Sequence, residues 1–222
     1  MNELVPAFEN SLFETSIIDI GIDYLELGID SVLQDGLLKD IPIVGTFIGV
    51  GKFAQNIHDR NLLKQTLIFI NECNSGIISE EKKKAHREKL IQNPKLMENE
   101  LGRVLVLLDK NIESIKSVFE AKFYAAYVNG TILWNDFCEL CDITSRLFVS
   151  DIDCLKEAYN NDGIEIRMPV TYRHDRLISV GLLTNEARLS GSAVFVDFDS
   201  DKRQNLMELT EIGKKFCKMV FA

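Results

Sequence analysis

Positive charge is in short supply: 25 Lys and Arg stand against 34 Asp and Glu, a formal net charge of -9 over 222 residues. Such a balance excludes broad attraction to nucleic-acid phosphates, which depends on a cationic surface displacing counterions. Any nucleic-acid contact must be local. No apolar run reaches the roughly 18–20 residues of a membrane-crossing helix. The opening MNELVPAFENSLFE has no basic stretch followed by an apolar one and a small-residue cleavage site, so a secretory signal is not expected. Five cysteines, at 73, 138, 141, 154 and 217, are odd in number and irregular in spacing, which excludes a disulfide framework and fits a reducing cytoplasm.

Cys138 and Cys141 form a C-x-x-C with no second pair and no H-x₃₋₅-H to complete four zinc ligands. They are expected as small core residues. The three histidines, His58, His86 and His174, lie far apart without E-x-x-H or H-E-x-x-H spacing, so neither a di-iron bundle nor a zincin is expected. Surface or capping roles are assigned to them. Arg167 and His174 have the loose Arg-to-His spacing of HEPN ribonucleases, but Pro169 between them and their place after the helical part are the wrong context. No catalytic residue, metal site, cofactor or small-molecule substrate is expected.

What is present is helical patterning in an acidic front half. Residues 1–57 hold nine acidic and two basic side chains, whereas residues 164–222 hold eight and nine. At about 100° per residue, 11–33 reads as a helix with Asp19, Asp23, Glu26 and Asp30 in one stripe. The stripe is a solvated face, a docking face for a basic partner, or a protonation-sensitive face that keeps the hairpin off membrane until released.

IPIVGTFIGVGKFA, residues 41–54, follows as a second apolar arm. Gly45, Gly49 and Gly51 lack the strand and the Gly-Lys-Ser/Thr ending of a phosphate loop. The spacing of Gly45 and Gly49 is instead that of close helix contact, on protein or on lipid.

Further helices are expected over 62–72 and, after a Ser79 cap, over EEKKKAHREKL. Asn93-Pro94 opens another helix, and the strongest amphipathic pattern runs from 101 to 128, where Asn129-Gly130 ends it. Helices are also expected over 131–148 and, capped by Ser150, to 159. Asn160-Asn161-Asp162-Gly163 reads as a linker, giving domains 1–162 and 163–222.

Beyond it, a helix over 171–180 precedes two strand-like runs, ARLSGSAVFVDF and QNLMEL, and Thr210 caps a last helix. HDRLISVGLL, a ribbon and LTEIGKKFCKMV resemble the closing half of a winged-helix domain. The fold class expected is mainly α, a multi-helix bundle with a small C-terminal α+β winged-helix-like domain. In it Arg173, Arg176 and Arg188 are candidate nucleic-acid contacts, although Asp175, Asp197, Asp199 and Asp201 around them disfavour phosphates.

The layout, carried by IPIVGTFIGVGKFA and LTEIGKKFC, resembles that of bacterial abortive-infection (Abi-alpha) type proteins. That resemblance implies a phage-defence or stress-response role without catalytic residues. The expected function is a cytoplasmic, non-enzymatic component acting on a protein partner or as a homo-oligomer. The alternatives are a membrane-perturbing effector that uses 41–54 on activation, and a DNA-binding regulator working through the C-terminal domain.

Overall fold

The computed structural model describes residues 3–14, 38, 41–49, 56–161, 164–166, 172–185 and 205–221. Among these the chain forms ten α-helices and a small three-stranded sheet. It divides into two compact units, Met1–Ser145 and Arg146–Ala222.

The first unit is a helical bundle of α1 (Leu4–Phe13), α2 (Pro42–Gly49), α3 (Ile57–Glu72), α4 (Glu80–Gln92), α5 (Pro94–Asp109), α6 (Ser114–Val128) and α7 (Trp134–Arg146). Its helices begin where local chemistry satisfies their first amides. Asn56 Oδ1 accepts from the main chain of His58 and Asp59, Ser79 Oγ from Lys82, and Asn93 Oδ1 from Leu96. Between α3 and α4, Gly76 takes a φ of 92° in a wide turn, Cys73–Ile77, a conformation open to glycine.

Tertiary burial then orders the bundle. The middle of α3 is buried on nearly every side, from Leu63 through Ile70, and α3 packs along α6. Phe8 of α1, Phe69 of α3, Tyr124 of α6 and Phe137 of α7 form a chain of ring contacts with centroids 5.6–6.0 Å apart. Ser11 joins α1 to α2, since its hydroxyl donates to Ala7 O and accepts from the main-chain N–H of Ile43.

The second unit contains α8 (Val149–Asn160), β1 (Ile164–Ile166), α9 (Tyr172–Ser179), β2 (Leu183–Asn185), β3 (Asn205–Leu209) and α10 (Glu211–Phe221). The sheet is antiparallel with order β1-β3-β2, pairing Ile164 with Met207 and Leu183 with Leu209. Thr210 ends β3 and caps α10, its Oγ1 accepting from Gly213 N at 3.0 Å.

Several expectations are corrected. The pattern over 101–128 is two helices, because Asn111 turns its side chain inward to Ser117 and Glu120 and breaks the ladder. Of the periodic residues, Leu101, Val104, Leu105, Leu108, Phe119 and Phe123 are buried, whereas Ile112 and Ile115 at the break are exposed. Phe148, not Ser150, stands at the start of α8, and Asp151 Oδ2 accepts its N–H. The domain boundary falls at Arg146 rather than after 162, because α8 packs against α9, β3 and α10. The expected helix over 11–33 lies outside the described residues except for its first residues, which belong to α1. α1 and β1 were not anticipated.

Candidate functional site

The residue types most often used in catalysis meet at the junction of α4, α5 and α6. Glu100 of α5 is 3% exposed, and its Oε1 lies 2.6 Å from His86 Nε2. Tyr124 Oη donates to the same oxygen at 2.9 Å, and Tyr127 Oη donates to Oε2 at 2.9 Å. Burial and the adjacent Glu100 push both phenols well above their ordinary range, so they stay protonated donors. His86 also stands edge-on to both tyrosine rings. Both oxygens of Glu100 are engaged, and the cluster holds three helices together.

A second buried cluster lies at the α5–α6 corner, where Glu120 Oε2 accepts from Asn111 at 2.9 Å and Ser117 Oγ donates to Gln65 Oε1 at 2.7 Å. A third interaction ties α4 to α1, with Arg87 Nε donating to Glu9 at 2.7 Å and Nη2 to Glu14.

The second unit carries its polar cluster to the surface. Asp151 of α8 is fully buried and accepts from Arg176 of α9 at 3.0 Å (Nε) and 2.5 Å (Nη2). This contact raises the guanidinium pKa further. So held, the Arg176 guanidinium lies 4.7 Å from the Phe148 ring centroid and 4.9 Å from that of Tyr172. Arg173 extends the stack, 5.9 Å from the Tyr172 ring. Phe148, Val149 and Tyr172 are 59%, 48% and 65% exposed.

The chain was compared with protein-family models, with curated proteins and with solved structures. It matches none of them.

The expected site residues separate on this structure. Asp19, Asp23, Glu26, Asp30, Gly51 and Arg188 lie outside the described residues, as do Arg167, Asp197, Asp199 and Asp201. Arg173 is exposed, and Arg176, also a candidate nucleic-acid contact, is held by Asp151. The C-x-x-C divides between a buried Cys141 and a half-buried Cys138, both with thiols raised by burial. Among the described residues no group of three His, Cys, Asp or Glu is placed to hold a metal ion, and no helix is long and apolar enough to cross a membrane.

The α2 glycines were expected to mark close helix contact, on protein or on lipid, and two of them lie among the described residues. Ile43, Val44 and Phe47 are the buried side of α2, whereas Gly45 and Gly49 are exposed, with no described atom within 4 Å of an added Cβ. Gly45→Ala should therefore stabilise the fold by about 0.5–1 kcal/mol, the helix-propensity gain alone. Urea unfolding reads this, and a loss above that size would restore the close-packed reading.

His86, expected at the surface or in a capping role, is buried. A signal was available: His86 and Leu90, four apart, are the buried residues of an otherwise charged α4. The partners Glu100, Tyr124 and Tyr127 come from other helices and left no comparable mark.

Proposed function

We propose that the chain is a non-enzymatic, cytoplasmic protein-binding component, acting in phage defence or stress response, as the Abi-alpha resemblance implies. The observation that carries this reading is the exposed stack of Phe148, Arg176, Tyr172 and Arg173 on the second unit. Aromatic and arginine side chains dominate binding hot spots, and a guanidinium already fixed by Asp151 loses little freedom when a partner covers it. The second unit is proposed as winged-helix-like. A β1-β3-β2 antiparallel sheet, with α8 before it, α9 between β1 and β2, and α10 after it, supports that reading.

Photo-crosslinking from position 172 in cells, followed by affinity measurement with the captured protein, tests the proposal. Phe148→Ala with Tyr172→Ala should weaken the complex by roughly 2 kcal/mol, about thirtyfold in Kd. The pair should also reduce protection in a phage plaque assay, with the circular dichroism spectrum unchanged. Unchanged affinity and protection would sink the reading. Vesicle leakage, or salt-dependent DNA retention lost with Arg173→Ala, would favour the membrane or DNA alternative instead.

A further inference from the structure

Arg176 meets Asp151 side-on, through Nε and Nη2, and a guanidinium bonded in that way keeps its Nη1–Nη2 edge for a second acceptor in the same plane. Among the described residues no such acceptor is present. The side chain is 29% exposed, and contact with the Phe148 and Tyr172 rings, added to the two bonds from buried Asp151, fixes its orientation. The edge is set before any partner arrives.

Charge decides what should meet it. Asp151 and Arg176 cancel, whereas Arg173, over the same Tyr172 ring, is exposed and pairs with no carboxylate among the described residues, the exposed α8 acids Asp153 and Glu157 included. Asp151, Arg176 and Arg173 together therefore carry one net positive charge. At about 100° per residue, Arg173 and Arg176 fall on one side of Tyr172 and the exposed Asp175 on the other, so the cationic edge has a definite side. Phe148, Val149 and Tyr172 add uncharged apolar surface beside it.

We infer, resting on the reading of this stack as a protein-binding surface, that the partner presents an acidic segment: a Glu or Asp carboxylate meets the open edge of Arg176 beside Arg173, and a neighbouring apolar side chain covers Phe148 and Tyr172. A carboxylate matches the guanidinium fork with two parallel hydrogen bonds, and it gains most where the fork is already oriented. Nucleic acid draws its affinity from many phosphates at once, and a single net charge flanked by Asp175 offers it little.

Nitrogen-15 NMR of the arginine Nε–H groups in the full chain reads contact at Arg173 and Arg176 separately. The probes are a capped peptide of alternating glutamate and phenylalanine, the same peptide with glutamine for glutamate, and an oligothymidylate of equal length. The glutamate peptide should shift both arginine signals and bind about tenfold more tightly than the glutamine peptide at low salt, the gap closing as salt is raised. Arg173→Ala should weaken the glutamate peptide about threefold and leave the glutamine peptide unchanged. An unshifted Arg176 signal, equal affinity for the two peptides, or tighter binding of the oligothymidylate than of the glutamate peptide overturns the inference. Equal peptide affinities that are both lost in Phe148→Ala with Tyr172→Ala would overturn the carboxylate alone and leave the stack a protein-binding surface. The wider reading fails separately, when a partner crosslinked from position 172 binds that double variant as tightly as the natural chain.

Discussion

Gly213→Ala should unfold the second unit or come close to it. A Cβ at Gly213 would stand 2.1 Å from the main-chain oxygen of Leu182 and 3.1 Å from its carbonyl carbon. That carbonyl is not free to retreat, because it accepts from Thr210 N at 3.1 Å and from Thr210 Oγ1 at 3.3 Å. Thr210 in turn caps α10 through Gly213 N, so the turn after α9, the end of β3 and the start of α10 share one contact. Overpacking against fixed backbone typically costs about 1–3 kcal/mol and sometimes more, and here the upper end is expected. Urea unfolding combined with hydrogen exchange over 207–221 measures the loss. Helix propensity alone predicts the opposite sign, a gain of about 1 kcal/mol, so a stabilised Gly213→Ala protein would refute the contact.

Replacing Glu100 with leucine should destabilise the first unit by about 3–5 kcal/mol. The leucine leaves the buried Tyr124 hydroxyl and His86 Nε2 without the acceptor they share and removes the acceptor of Tyr127. Glu100→Gln retains one acceptor oxygen and should cost less. Tyr124→Phe, which deletes a single donor and leaves His86 and Tyr127 on the carboxylate, should cost about 1 kcal/mol. Trp134, 5.2 Å from the Tyr127 ring, is the sole tryptophan and provides the fluorescence signal for urea unfolding. Since Glu100 is one of the causes raising the tyrosines, ultraviolet titration of Glu100→Gln should show Tyr127 ionising at lower pH than in the natural chain. Equal stability of Glu100→Leu and the natural chain would mean that the cluster does not hold the helices.

Much of the chain's punctuation was legible before any fold was known. Ser79, Asn93-Pro94, Gly130 and Thr210 each start or end an element as their chemistry dictates, because a cap acts on amides two or three residues away. The break at 110–113 was not legible. Asn111 breaks the helix only because Ser117 and Glu120 return on α6 to receive its side chain, and Gln65 and Asn61 of α3 brace the corner from about fifty residues earlier.

The candidate sites divide along the same line. LTEIG announced a helix start after a strand, yet why its fifth residue must be glycine depends on the Leu182 carbonyl, some thirty residues earlier. Arginines of α9 were legible as a surface feature, but not the assignment of Arg176 to a buried Asp151 and two rings. By itself the sequence determined several helix ends, at Ser79, Asn93-Pro94, Gly130 and Thr210, that the body is helical, and that a small mixed unit follows it. Tertiary structure alone decided which polar side chains are buried together, which glycines face solvent and where the units divide. The physical reason is range: caps and periodicity act within a turn or two of helix, whereas the burial of a charge is set by whatever distant segment arrives to cover it.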